Sequence, residues 1–242
     1  MEGSRASAPT GGAFELFDRQ PDTDDVTEEL LNSLGAAEKS VSAKFFYDQR
    51  GSELFEAITE LPEYYLTRTE MGLFDALGVE LQEAIGPDCC LVEYGSGSSR
   101  KIRQLLESVA PRAYVPVDIS LTHMERNARK LHEDHPTLDI YPTCADITRP
   151  FELPAPVAGL NKVGFFPGSS IGNFAPDSAV AFLANAADTL GAGSRLILGV
   201  DRKKDRDLLE AAYNDAAGVT ARFNLNMIAH IGSCLLYTSP SP

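Results

Sequence analysis

The chain has 242 residues, of which 43% are hydrophobic and 23% are charged, a composition typical of one α/β domain with or without a smaller layer. Its formal net charge of −14 disfavours binding to nucleic acid or to an anionic membrane. The sequence has no apolar run of about 18 residues, and its first residues do not read as a signal peptide. We therefore expect a cytoplasmic monomer with no nucleic-acid or membrane partner.

The first part of the chain is predicted to be a tail followed by helices. Residues 1–22 are rich in Gly, Ser, Ala and Pro, so we predict a disordered N-terminal tail. Apolar periodicity then predicts helices at residues 24–34, 52–59 and 69–85. The last of these has Leu73, Leu77 and Leu81 at four-residue spacing, which predicts an inward-facing stripe.

From Cys89 onward, apolar runs alternate with helical patterns. The runs begin at Cys89, Ala113, Leu138, Asn161 and Arg195. Strands separated by crossover helices predict a parallel sheet covered on both faces, which is a doubly wound, Rossmann-like α/β fold. Two further helices are predicted at residues 205–217 and 220–231. Residues 232–242 (GSCLLYTSPSP) differ abruptly in composition from the rest of the chain. We interpret them as an artefactual tail of a truncated gene fragment.

The glycine turn in LVEYGSGSSRK, residues 91–101, follows the first strand of this sheet. Ligands bind beyond the carboxyl ends of such strands, and Gly95 and Gly97 let the backbone turn sharply and approach one closely. The turn lacks the Gly-Lys-Ser/Thr ending of a phosphate-binding loop, and Arg100 stands where a dinucleotide fingerprint has its third glycine. The turn therefore favours a cofactor without a pyrophosphate, such as S-adenosylmethionine (SAM).

Polar residues follow the next three strands. Asp118 ends the second strand, where it could accept hydrogen bonds from ribose hydroxyls or cap the following helix. Asp146 ends the third strand, where it could meet an adenine amino group or serve as a turn residue. After the fourth strand, Asn173 in FFPGSSIGNF offers a donor and an acceptor that could orient an amino-acid carboxylate or amine.

The cysteines and histidines show no metal-ligand spacing, so we predict no metal site. Cys89 and Cys90 begin a predicted buried strand and are expected to be structural. The histidines, at positions 123, 132, 135 and 230, are expected to be solvated or to lie at the edge of the core.

Four segments, taken in order, carry a resemblance to a known family. They are residues 44–70 (KFFYDQRGSELFEAITELPEYYLTRTE), 91–101, 165–174 and 211–226 (AAYNDAAGVTARFNLN). Together they resemble the SAM-dependent histidine Nα-methyltransferases of ergothioneine biosynthesis, over residues 24–231. The resemblance implies a class I methyltransferase core with a mainly helical substrate-binding domain. It also implies three successive methylations of the α-amine of L-histidine, giving hercynine.

The resemblance assigns site residues by motif. The residues expected to contact the methyl donor are Tyr47, Gly95, Gly97, Lys101, Asp118, Asp146 and Ile147. Those expected to contact histidine are Asn173, Tyr213 and either Tyr64 or Tyr65, of which the spacing from Tyr47 favours Tyr64. Asn173 and Tyr213 would position the substrate, and the reaction requires no metal.

The resemblance also implies domain boundaries. Residues 67–201 would form the SAM-binding core, and residues 23–66 and 202–231 would form the substrate-binding domain, the second part incomplete. Family members continue beyond residue 231 with the groups that grip the imidazole and with the C-terminal strands of the sheet. We therefore expect those strands to be missing and the 242-residue product to be unstable or inactive toward histidine.

The sequence leaves three other functions open. A methyltransferase of the same family could act on a different amine, such as a tryptophan derivative. A nicotinamide-dependent oxidoreductase is disfavoured by the absent third glycine and by the lack of a hydride-site motif. A non-catalytic, partner-binding domain is the third.

Overall fold

A computed structural model describes residues 11–19, 23–97 and 100–236. The strands in this part of the chain are β1 (Phe17–Asp18), β2 (Cys90–Tyr94), β3 (Ala113–Asp118), β4 (Asp139–Ile140), β5 (Thr143–Cys144), β6 (Lys162–Phe166) and β7 (Arg195–Leu198). The α-helices are α1 (Thr23–Gly35), α2 (Gln49–Thr59), α3 (Tyr65–Ala76), α4 (Gly78–Ile85), α5 (Arg100–Ser108), α6 (Leu121–Asp134), α7 (Pro176–Leu190), α8 (Arg206–Tyr213) and α9 (Val219–Leu236). Short 3₁₀ helices span Ala43–Phe46, Ala155–Val157 and Ser170–Asn173.

The strands form one parallel sheet in the order β1-β5-β3-β2-β6-β7, with β4 also paired to β3. The central strand β2 is buried at every residue, and its Val92 lies opposite Val115 on one side and Gly164 on the other. Apolar clusters lie on both faces of the sheet, where helices cover it. The predicted doubly wound α/β fold is confirmed.

The third predicted strand is divided in two. β4 ends at Ile140 and β5 begins at Thr143, so Tyr141 and Pro142 interrupt the run predicted from Leu138. Proline has no backbone N–H to donate to a neighbouring strand, which explains the interruption. The Pro142 carbonyl oxygen still accepts a hydrogen bond from the Phe17 N–H at 2.8 Å.

The prediction of a disordered tail through residue 22 is wrong for residues 11–19. Phe17 and Asp18 pair with Thr143 and Cys144, and Phe14 forms an isolated bridge with Ile140. The Phe17 ring also packs edge-on against Tyr141, with 6.3 Å between ring centroids. Two phenylalanines in a Gly- and Ala-rich segment thus attach it to the edge of the sheet, while residues 1–10 and 20–22 lie outside the described residues.

The single helix predicted over residues 69–85 is two helices. Leu77, with φ −112° and ψ 18°, departs from helical geometry between α3 and α4. The predicted inward stripe is wrong for Leu73 and Leu77, which are 51% and 41% exposed, whereas Leu81 does pack against the core. Phe74 occupies the core position instead, and its ring lies 5.8 Å from that of Phe165.

The helices before and after the sheet segments pack together. Ile58, Tyr64 and Leu66 form an apolar cluster with Val219 and Phe223, which are distant in sequence. Helix α9 continues to Leu236, past the predicted end at residue 231, and residues 237–242 lie outside the described residues. No helix in the described ranges has both the length and the apolar composition needed to cross a membrane.

Candidate active site

A cleft with about 940 Å³ of empty space, part of it open to solvent, lies at the carboxyl ends of the central strands. This is the size and the position typical of cofactor sites in doubly wound sheets. One wall comes from the sheet and its loops, and the other from residues 42–55. The cleft brings together seven of the predicted site residues: Tyr47, Gly95, Gly97, Asp118, Asp146, Ile147 and Asn173.

The glycine turn is held by the end of β3. The Gly95 N–H donates to the Val117 carbonyl oxygen at 2.8 Å, and the Gly97 N–H donates to the Asp118 carboxylate at 3.1 Å. Gly95 has φ +72°, a conformation that favours glycine, and a Cβ built there would meet no atom within 4 Å. The backbone at Gly95 is therefore free to be approached closely from the cleft. Ser98 and Ser99, in the same predicted turn, lie outside the described residues.

Asp118 organises this turn and still has acceptor capacity. One oxygen accepts from the Gly97 N–H and the other from the Ser120 N–H at 2.9 Å. Burial raises the pKa of this carboxyl, and the backbone N–H groups of Ser120 and Gly97 oppose the rise. A carboxylate has about four acceptor positions, so Asp118 keeps acceptor capacity for a hydroxyl donor after these N–H groups and that of Ile119 are bound.

Asp146 is the second acid of the cleft. Its Oδ1 accepts from the Thr148 N–H at 3.0 Å and from the Thr148 hydroxyl at 2.6 Å, and its Oδ2 accepts from Lys44 at 2.8 Å. Burial alone would raise the pKa of Asp146, but the hydrogen bonds from Lys44 and Thr148 outweigh burial and lower it. The cleft therefore presents an ionised acceptor at the end of β5.

Lys101 lies outside the cleft wall. Its Nζ is 2.7 Å from Glu70 Oε2, and Glu70 also accepts from the Gly168 N–H at 2.9 Å. This arrangement ties the start of α5 to α3 and to the loop that carries Asn173. The contact between Lys101 and the donor, implied by the resemblance, stays a prediction.

The three tyrosines predicted to contact substrate lie near the cleft but are not among its lining residues. Tyr64 is buried, and its ring meets that of Tyr213 edge-on at 6.0 Å. The Tyr65 hydroxyl instead donates to Asp201 at 2.5 Å. Burial is the largest cause that raises the pKa of all three phenols, and Asp201 adds to the effect at Tyr65. They therefore stay protonated at neutral pH and serve as donors.

Sequence reasoning did not single out His123, which lines the cleft and is 2% exposed, so of the two expected environments the solvated one is excluded. Arg126 approaches its Nδ1 at 3.1 Å. Asn127 contacts its Nε2 at 3.0 Å and also donates to the Gly97 carbonyl oxygen at 2.8 Å. His123 and Asn127 are four residues apart and shortly follow Asp118, a spacing that places both on the turn-facing side of α6.

The predicted structural cysteines are confirmed as buried. Cys89 and Cys90 lie in the core, and burial raises the pKa of the Cys90 thiol to about 12, which keeps it unreactive. Among the residues that the structure describes, no group of three or more His, Cys, Asp or Glu side chains is arranged to hold a metal ion.

The parallel strand order, the glycine turn after β2 and the acid that ends β3 together define a doubly wound fold with a nucleotide-cofactor site. The chain belongs to the family described as "Histidine-specific methyltransferase, SAM-dependent", whose model matches residues 26–237. Membership in this family confirms the resemblance seen in the four sequence segments.

Several relatives are similar over most of the chain. A histidine N-alpha-methyltransferase of Mycolicibacterium smegmatis is 42% identical over 205 residues, covering 83% of this chain and 63% of that protein. Its counterpart in Mycobacterium tuberculosis is 38% identical and covers 84% of this chain and 64% of that protein. This chain thus spans slightly less than two thirds of the length of either relative.

A solved structure resembles the fold more distantly. Magnesium protoporphyrin IX methyltransferase from Synechocystis, solved with bound SAM, has a TM-score of 0.45 and 13% identity. The similarity covers 81% of this chain and 86% of that one.

Proposed function

We propose that this chain carries the methyl-donor site of an enzyme that trimethylates the α-amine of L-histidine to hercynine in ergothioneine biosynthesis. The observation that carries the proposal is the meeting of Gly95, Asp118 and Asp146 around one cleft, in a chain 42% identical to a histidine N-alpha-methyltransferase. We further infer that the enzyme is a cytoplasmic monomer acting on a small molecule. The net charge of −14 supports the absence of a nucleic-acid partner.

The cleft residues fit SAM by their chemistry. Asp118 would accept hydrogen bonds from the ribose hydroxyls, and Asp146 would accept one from the adenine amino group. Ile119 and Ile147, which both line the cleft, would give apolar contacts to the purine ring. When bound, SAM supplies a methyl group on a sulfonium, from which a neutral thioether leaves readily, so the transfer needs no metal.

The substrate side of the cleft needs groups that hold an amino acid in position. Asn173 lines the cleft, and Tyr64 and Tyr213 lie beside it with protonated phenols. Their amide and hydroxyl donors would bind the histidine carboxylate and so aim the α-amine at the methyl group. Only a neutral amine attacks, and partial burial in the cleft favours that form by lowering the pKa of the amine.

Methyl transfer tests the substrate assignment. The chain and the 42% identical mycobacterial enzyme are incubated side by side with SAM and L-histidine, and the products are identified by mass spectrometry. The proposal predicts mono-, di- and trimethylated histidine in the order of the three steps, and no product from Nα-acetylhistidine. Methylation of a tryptophan derivative in preference to histidine would contradict it.

A further inference from the structure

A buried ion-pair network joins the helical part of the molecule to the cleft at Asp146. Lys44, in the 3₁₀ helix before α2, places its Nζ 2.8 Å from Asp146 Oδ2 and 2.6 Å from Glu29 Oε2. The side chains of Lys44 and Asp146 are 10% and 3% exposed, and both residues line the cleft. Arg149 approaches the same two acids at the longer distances of 3.8 and 3.9 Å. Lys44 is therefore the nearest of these cations to the Asp146 carboxylate.

The hydrogen bonds of Asp146 leave it one open acceptor position. Oδ1 accepts two hydrogen bonds from Thr148, and Oδ2 accepts one from Lys44. Because each carboxylate oxygen has two lone pairs, the position that remains is on Oδ2, the oxygen that Lys44 holds. An ionised carboxylate only accepts hydrogen bonds, so this position suits an amino group and repels a carbonyl oxygen.

We propose, on the basis of the donor site proposed above, that Lys44 is a positioning residue that makes the cleft selective for a 6-aminopurine over a 6-oxopurine. It does so by holding Asp146 in its ionised, acceptor-only form. The adenine of SAM carries an amino group at C6 and a bare N1, whereas hypoxanthine carries an oxygen at C6 and a hydrogen on N1. Lys44 thus acts on cofactor choice through Asp146.

Removal of the ammonium would change what Asp146 can do. A carboxylate as buried as this one is costly without a close cation, and the usual response is protonation. A protonated carboxyl both donates and accepts, so it would bind a 6-oxo group as readily as a 6-amino group. Loss of Lys44 should therefore reduce discrimination between the two bases more than it reduces overall binding.

The test compares S-adenosylhomocysteine with S-inosylhomocysteine by calorimetry at neutral pH. The two ligands differ only in the purine ring, at C6 (amino or oxo) and at N1 (an acceptor or an N–H donor). We expect the unaltered chain to prefer the adenine compound by roughly 10-fold or more, since the oxo compound leaves a buried carboxylate facing an acceptor. Lys44→Met should bring the preference close to unity. Lys39→Met removes an exposed lysine that binds the Leu34 carbonyl oxygen, and it should leave the preference unchanged.

A double-mutant cycle separates positioning from general damage. In an Asp146→Asn background, Lys44→Met should change the preference no further, because the amide already donates and accepts. If Lys44→Met does not fold, Lys44→Gln, which keeps a polar end but no charge, replaces it. A full adenine preference in a folded Lys44 variant, or no preference in the unaltered chain, would overturn the inference. Failure of the unaltered chain to bind either compound would instead refute the donor site itself.

Discussion

Asp118→Asn should lower the affinity for SAM by about 10- to 100-fold, because the variant loses the equivalent of one charge-assisted hydrogen bond, worth about 1.5–3 kcal/mol. Asp118 ends β3 beside the glycine turn and keeps acceptor capacity after the N–H groups of Gly97 and Ser120 are bound. An asparagine amide keeps one acceptor oxygen, but its NH₂ group replaces the other. That NH₂ group would face either the backbone N–H groups or the ribose hydroxyls, where an acceptor is needed. Calorimetric titration with SAM measures the loss.

The control for Asp118 is an aspartate away from the cleft. Asp139 begins β4, where its carboxylate accepts from the Ala13 N–H at 2.7 Å. Asp139→Asn makes the same chemical change outside the cleft wall and should leave SAM affinity unchanged. If Asp118→Asn bound SAM as tightly as the unaltered chain, with an intact thermal transition, Asp118 would be only a structural part of the turn.

Glu93→Gln should change how stability depends on pH. Glu93 is buried in the central strand β2 and accepts a hydrogen bond from the Tyr114 hydroxyl. Burial, reinforced by Asp118 and Glu70, raises the pKa of Glu93 to about 8 from an ordinary value of 4.5, against the opposing effects of Tyr114 and Lys101. The folded chain therefore holds a proton on Glu93 at neutral pH that the unfolded chain has released.

The sign of the effect follows from this difference in bound protons. Between pH 4.5 and about 8 the folded state binds more protons at Glu93, so its contribution to the free energy of unfolding falls as pH rises. The free energy of unfolding falls by up to about 1.4 kcal/mol per pH unit in this range, and the fall levels off above the folded-state pKa. Glutamine does not titrate, so the variant should lack this loss and gain stability over the unaltered chain as pH increases.

Urea unfolding at intervals from pH 5 to pH 8.5 measures the effect. We expect the free energy of unfolding of the unaltered chain to fall relative to that of Glu93→Gln across this range. Glu83→Gln, an exposed change on α4, provides the matched control and should follow the unaltered chain. Parallel profiles for Glu93→Gln and the unaltered chain would show that Glu93 is ionised in the folded state.

The sequence predicted the parts of the site that depend on local pattern. Gly95, Asp118 and Asp146 each follow an apolar run, and a parallel sheet gathers the carboxyl ends of its strands at one edge. Their meeting in one cleft therefore follows from the strand and helix alternation alone. The core positions Met124 and Leu131 of α6 were also predictable, because apolar residues at the helical period lie on one face of a helix.

The parts that escaped prediction depend on long-range contacts. Lys44 meets Asp146 across 102 residues, and nothing near either residue signals the pair. β1 has only two residues, and its pairing rests on aromatic side chains in a segment of otherwise low hydrophobicity. The leucine spacing across α3 and α4 was misleading, because Phe74 fills the core more effectively than its neighbour Leu73.

Arg100 bears most directly on which cofactor the turn accepts. It is the first residue of α5, where a dinucleotide-binding fold has its third glycine, and its guanidinium forms an ion pair with Glu60 at the end of α2. The first turn of α5 therefore carries a long side chain that is paired with a residue at the end of α2. This arrangement disfavours the close approach of a pyrophosphate that NAD requires.

Calorimetric titration of the purified chain with SAM, S-adenosylhomocysteine and NAD tests the donor site most directly. We predict one binding site for SAM and S-adenosylhomocysteine and no binding of NAD under the same conditions. Binding of NAD without SAM, or of none of the three by a folded chain, would contradict the assignment of this cleft to a methyl donor.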